Sequence, residues 1–181
     1  MELKELLKTR RSVRKYDPDK KVTKEVLTEI VRGAQFAPSW KNLQPVRYHC
    51  ILDPEKLKEF REKCLPEFNA NSTAGAAALV VATFVKGESG FSLKTKEAEN
   101  ELGDGWGCYD CGLGNAYFVL KAKELGLDTL IMGIRDQDAI RSLLSIPEEE
   151  IIGPVLAVGY AAEEPAFRPR KEVEEIICFE E

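Results

Sequence analysis

Lys8-Thr9-Arg10-Arg11-Ser12-Val13-Arg14-Lys15 and Pro38-Ser39-Trp40-Lys41-Asn42-Leu43-Gln44-Pro45 are the two stretches on which the reading of this chain turns. Five of the eight residues in the first are cationic, in a chain of formal net charge -5. Such a local surplus asks for an anion. Arg10, Arg11 and Arg14 offer forked donors that match phosphate oxygens, and Ser12 adds a hydroxyl. A solvated basic helix end, favoured by the helix dipole, is the plainer alternative. The second stretch holds a hydroxyl, two carboxamides and an indole between prolines that fix the backbone. Such a loop suits a flat heterocycle with carbonyls and ring nitrogens. An ordinary polar turn before a strand is again the plainer alternative.

Around these stretches the composition bounds the answer. The chain has 181 residues and is 44% hydrophobic and 31% charged, the make-up of a soluble globular protein. One domain, residues 1–181, is the simplest organisation. The acidic balance argues against nucleic acid as a partner, because phosphate neutralisation needs a broad basic face. Met1-Glu2-Leu3-Lys4-Glu5 lacks the apolar run of a signal peptide. The run Ala74 to Val85 is too short to span a bilayer, so no membrane association is expected and the cytoplasm is the expected location. The cysteine count, five, is odd, which fits reduced thiols. Cys108-x-x-Cys111 is a lone pair and His49 is the one histidine, so no metal site is expected.

In chain order, Glu2 to Thr9 reads as a helix with Leu3, Leu6 and Leu7 on one side. Thr23 caps a second helix that ends by Pro38. Val46 to Leu52 is a strand, and Asp53-Pro54-Glu55 opens a helix that runs to Cys64. Glu67 to Gly75 reads as a polar connection. Ala77 to Val85, nearly continuous apolar sequence, reads as a strand buried on both faces. Lys86 to Asn100 is a surface excursion of the kind that forms lids. Asp104 to Leu125 reads as a long helix lined on one side by Tyr109, Leu113, Ala116, Tyr117 and Leu120. Its Gly105, Gly107, Gly112 and Gly114 each weaken it by roughly 1 kcal/mol and point to a close neighbour, a partner helix or a cofactor. Strands follow at Thr129–Met132 and Pro154–Tyr160, with a helix between them capped by Asp136. Arg168, Arg170 and Lys171 form a second basic cluster, and Val173 to Phe179 has strand character.

No nucleophile–base pair is evident, so the catalytic residues are unassigned; an anion cradle without acid–base equipment belongs to a protein whose cofactor carries the chemistry. Arg-Arg-Ser-x-Arg followed by Pro-Ser-x-x-Asn-x-Gln-Pro resembles the nitroreductase family of FMN-dependent enzymes. The resemblance continues through Asp110 to Gly133 and into Arg168-Pro169-Arg170. It implies an α+β fold, a mixed sheet surrounded by helices, in an intertwined homodimer with FMN at the interface. On the matching positions Arg10, Arg11, Ser12 and Arg14 would hold the phosphate and ribityl side, completed by Arg168 and Arg170. Pro38, Ser39, Trp40, Asn42 and Gln44 would contact the flavin, some from the partner subunit. Asn69, favoured over Asn71, would touch the ring. Met132-Gly133 would present backbone amides to the pyrimidine edge. Val173 to Phe179 would reach across to the partner's sheet.

The implied activity is ping-pong reduction of a small acceptor, a nitroaromatic, a quinone or another electron-poor compound, with NAD(P)H as donor. Related reactions on the same fold (enone reduction, reductive dehalogenation, flavin breakdown to a cobalamin precursor) share these motifs. An FMN-binding sensor without turnover and a structural domain with solvated basic faces are the rivals from other classes.

Overall fold

Side-chain caps at Thr23, Asp53 and Asp136 start three of the helices, and Gly126 closes the longest. The computed structural model describes residues 2–180. Helix α1, Leu3–Thr9, leads into the basic stretch. Thr23 accepts the Val26 N–H and starts α2, Lys24–Ala34. Strand β1, Val46–Ile51, is followed by α3, Pro54–Cys64, whose cap Asp53 accepts the Lys56 N–H at 2.9 Å. The polar connection folds into a short helix α4, Glu67–Ser72. Strand β2 is Ala78–Val85, α5 is Gly105–Glu124 and β3 is Asp128–Met132. Gly126, at φ +81°, closes α5 in the left-handed region that suits glycine. Asp136 caps α6, Gln137–Leu144, and β4 is Glu150–Gly159.

The strands form one sheet in the order β1-β2-β4-β3. The α+β class is as expected. The sheet expected to be mixed has three antiparallel ladders, and the parallel pairing in it is a single bridge, Ser12 to Thr129. The buried run of β2 therefore reflects a central antiparallel strand with helices on both faces. Leu79 and Val81 meet Phe60 of α3 and Ile140 of α6 in one core. Val80, Ala82 and Phe84 meet Ile30 of α2 and Phe118 of α5 in the other.

Strand β4 begins at Glu150, four residues before Pro154. The proline is tolerated because the β2–β4 register shifts between Val81 and Thr83, opposite Gly153-Pro154. A Cβ at Gly153 would stand 2.9 Å from the Ala82 carbonyl oxygen. Arg135 donates from its guanidinium to the carbonyls of Ile152 and Gly153 beside the same bulge.

Two other expectations need correction. The buried face of α5 carries Gly107, Asp110, Cys111, Gly114, Asn115, Phe118, Val119 and Ala122, while Tyr109 and Tyr117 are exposed. The glycines explain the inversion. A Cβ at Gly107 would enter the Phe84 ring, and one at Gly114 would come 2.9 Å from the Tyr48 hydroxyl. The small residues thus face the sheet and let the helix settle close to it. The other correction concerns the end of the chain. Val173–Glu175 is one 3-10 turn, and among the described residues those after it pair with no strand of this chain. Among the described residues no helix is long and apolar enough to cross a membrane.

Candidate functional site

The basic stretch is stitched to the β3 edge of the sheet. Ser12 bridges Thr129, and the Val13 N–H donates to the Thr129 carbonyl at 3.0 Å. Tyr16 pairs with Ala161 just beyond β4, and the Ala162 N–H donates to the Lys15 carbonyl at 2.9 Å. The chain leaving β4 therefore runs beside the basic stretch. Arg10, Arg11, Ser12, Arg14, Arg168 and Arg170 consequently line one cleft of about 420 Å³. The two clusters, separated by some 150 residues of sequence, meet as anticipated.

The electrostatics of this cleft are unbalanced. Burial, then the charges of Arg170 and Arg11, push Arg10 below the ordinary arginine value. Lys15 pairs with Glu163 at 2.9 Å. None of the five arginines makes an ion pair among the described residues. Their bonds within the chain are local: Arg11 to the Arg10 carbonyl at 2.8 Å, Arg14 to the Ser12 carbonyl at 3.3 Å, and Arg170 to the Arg168 carbonyl at 3.0 Å. Arg11 also lies 5.0 Å from the Phe167 ring centroid. Clustered guanidiniums without a counter-charge are a donor set for phosphate.

Two more expected residues share this edge. Met132 ends β3 and is buried, with Gly133 exposed beside it. Asn69 is buried in α4 and donates to the Ile134 carbonyl at 2.8 Å, so it holds the chain that leaves β3. Asn71 is the exposed one of the two asparagines.

The loop from Pro38 to Pro45 stands at the opposite edge, where it feeds β1. Lys41, Asn42 and Gln44 have φ of 48°, 56° and 51°, three left-handed residues in one short loop. The Ser39 hydroxyl accepts the Gln44 N–H at 3.0 Å. Trp40 packs 5.0 Å from Trp106, which in turn meets Tyr109 at 5.7 Å. Pro38, Ser39 and Gln44 line a cavity of about 320 Å³ with Tyr48, Asp110 and Gly114. It shares no lining residue with the arginine cleft. The Tyr48 hydroxyl of this lining is buried without a hydrogen-bond partner, an unmet demand that a ligand would fill, and Trp40 Nε1 of the same loop is likewise buried without one. Burial, with the nearby Cys111 and Cys50, pushes the Tyr48 phenol above its ordinary value.

The expected site residues thus form two groups, one at each edge of the sheet. Across three strand spacings that separation is roughly 14 Å. Sequence reasoning missed Tyr48 and Asp110, which line the loop cavity. Asp110 lies on the small-residue face of α5, opposite the side on which the sequence lines up Tyr109, Leu113 and Tyr117. The small-residue spacing Gly107, Cys111, Gly114 is the signal that marks its face as buried. The five cysteines are free, and burial pushes the Cys111 thiol up to about 11. Among the described residues no group of three or more His, Cys, Asp and Glu is placed to hold a metal ion.

The chain is similar to known proteins over most of its length. The sequence model of the Nitroreductase family matches residues 7–160. A Methanothermobacter thermautotrophicus protein provisionally named NADH dehydrogenase/NAD(P)H nitroreductase is 29% identical, over 93% of this chain and 82% of its own length. The CLA biosynthesis enone reductase of Lactiplantibacillus plantarum is 24% identical, over 93% of this chain and 90% of its own. Among solved structures, a nitroreductase family protein of Clostridium difficile superposes with a TM-score of 0.79 at 25% identity, covering 100% of this chain and 99% of that one. An oxidoreductase described as containing FMN gives 0.75 at 25% identity, covering 90% and 79%.

Proposed function

Because this chain belongs to the Nitroreductase family, we propose that it is an FMN-dependent NAD(P)H oxidoreductase that reduces small electron-poor acceptors. The observation that carries the reading is the arginine cleft: five guanidiniums gathered from two distant segments, where the one lining carboxylate, Glu163, is taken up by Lys15. Arg10, Arg14, Arg168 and Arg170, with Ser12, would hold the FMN phosphate, and Arg11 would flank it. Met132-Gly133 would offer backbone donors at the pyrimidine edge, and donors fixed there favour negative charge without reorganising. Asn69 would act on the same edge by holding the Gly133–Ile134 segment in place. Pro38, Ser39, Trp40, Asn42 and Gln44 would cover the ring and exclude water. The bound FMN would supply the two-electron chemistry, taking hydride from NAD(P)H and delivering it to the acceptor. Donor and acceptor would use one open face in turn, a ping-pong order that needs no side-chain nucleophile.

The two-edged layout favours a homodimer in which the loop of one chain meets the arginine cleft of the other. Exposed apolar side chains supply surface for such an interface: Leu3 and Leu7 on α1, Tyr109 and Tyr117 on α5. Strand β1 is a sheet edge beside a largely apolar cleft of about 580 Å³. The exposed Val173, Ile176, Ile177 and Phe179 of a partner's tail would cover it. Light scattering of the FMN-loaded protein is expected to give the dimer mass; a monomer that retains FMN would contradict this layout.

Acceptor choice is tested by steady-state kinetics with a quinone, a nitroaromatic and an enone. Parallel double-reciprocal lines and turnover of at least one acceptor support the reading. The similarity to an enone reductase favours the enone as the second candidate. FMN binding without NAD(P)H turnover on any acceptor would instead indicate a sensor.

A further inference from the structure

Asp110 is an acid in the second turn of α5, and it is 3% exposed. Two donors converge on its Oδ2: the Trp40 backbone N–H at 3.0 Å and the Ser89 hydroxyl at 2.6 Å. They come from different segments, the 38–45 loop and the 86–100 excursion. Both segments need a tether. The loop carries three residues in left-handed conformations, which persist only where surroundings over-determine them. The excursion has little regular structure of its own, one isolated bridge between Phe91 and Ala98. The two segments also meet through a Lys41–Glu99 ion pair at 2.5 Å, and Trp40 packs on Trp106 of α5, whose indole N–H donates to Asn100 at 2.9 Å. The ion pair is solvated and therefore weak. The buried bonds to a carboxylate are the stronger link, roughly twice the strength of neutral ones.

We infer that Asp110 is a positioning residue. Its carboxylate fixes the 38–45 loop and the 86–100 excursion as one unit, so that the surface meeting the flavin is set before the ligand arrives. The inference rests on the proposed role of that loop in FMN binding. It extends that role to a nearly buried carboxylate at the edge of the loop cavity, and it couples the flavin-covering loop to the 86–100 excursion, which as a lid would border the acceptor.

The chain's two tryptophans, Trp40 and Trp106, both sit in this unit, so the near-ultraviolet circular dichroism of the indoles reports its geometry independently of activity. Three full-length variants decide the matter: Asp110→Ala, Asp110→Asn and Ser89→Ala. Asp110→Ala is expected to raise the FMN Kd about 10-fold or more and to flatten the indole band while far-ultraviolet helix content stays constant. Asp110→Asn keeps an oxygen that can accept both bonds, and it should stay within about 3-fold of the parent. Ser89→Ala releases only the excursion. It should alter the indole band and raise the acceptor KM at unchanged kcat. A wild-type Kd and indole band in Asp110→Ala would overturn the inference, as would equal losses in the Ala and Asn variants. Should Asp110→Ala fail to fold, Ser89→Ala decides: parental KM and indole band would overturn the inference. A parent protein that binds no FMN would refute the functional reading instead, and the indole band would then test the tether by itself.

Discussion

Replacing Arg14 or Arg168 by alanine is expected to weaken FMN binding by about 10- to 100-fold and to leave the fold intact. The range follows from removing one charge-assisted contact to a phosphate, worth about 1.5–3 kcal/mol. The fold should not suffer, because both side chains are exposed and neither forms an ion pair. Arg14 donates only to the carbonyl two residues away. Fluorescence titration with FMN, paired with thermal melts of the ligand-free variants, checks both halves. Salt should weaken the parent's affinity more than that of either variant, because the exposed part of the clamp is screened. Unchanged FMN affinity in both variants would remove the phosphate clamp from the account.

The second large effect concerns stability. Gly107→Leu is expected to destabilise the protein by about 3 kcal/mol. A side chain there meets the Phe84 ring, which is 1% exposed and belongs to the core between the sheet and α2–α5. The ring is enclosed, so α5 must lift from β2 or Phe84 must leave its rotamer. The helical gain of replacing a glycine, at most about 1 kcal/mol, does not offset that. Phe84→Ala alone should cost about 3–5 kcal/mol through the cavity it leaves. In the double variant the leucine has the vacated ring volume to fill. The combined loss should then be smaller than the sum by about 1 kcal/mol or more, as for residues in contact. Urea denaturation of all four proteins measures the coupling. Strict additivity would mean that α5 does not rest on Phe84 in the way the glycine spacing implies.

The elements with unambiguous local chemistry were legible in the sequence. Thr23, Asp53 and Asp136 cap the helices they announce, and the β2 run is buried throughout apart from its last residue. The convergence of Arg10–Arg14 with Arg168 and Arg170 was also anticipated, from cationic surplus and family resemblance together. What failed did so for physical reasons. On α5 the larger residues were the visible row, yet the face that packs is the one made small by Gly107, Cys111 and Gly114. The start of β4 was placed at Pro154, four residues after the strand begins. A bulge opposite Gly153 accommodates it inside the strand. The tail's strand character, read from its β-formers and meant for a partner's sheet, has no neighbour among the described residues of this chain, and within it Val173–Glu175 is a 3-10 turn. The tether at Asp110 was out of reach, because it depends on two loops meeting one helix in space.

The most direct test of the central claim is the visible absorption spectrum of the purified protein, incubated with FMN and recorded under argon before and after adding NADH or NADPH. The account predicts a bound-flavin spectrum that bleaches with at least one nicotinamide and recovers when an acceptor is added. A protein that stays colourless after incubation with FMN would contradict it. A flavin spectrum that neither nicotinamide bleaches would leave the binding site standing and refute the reductase.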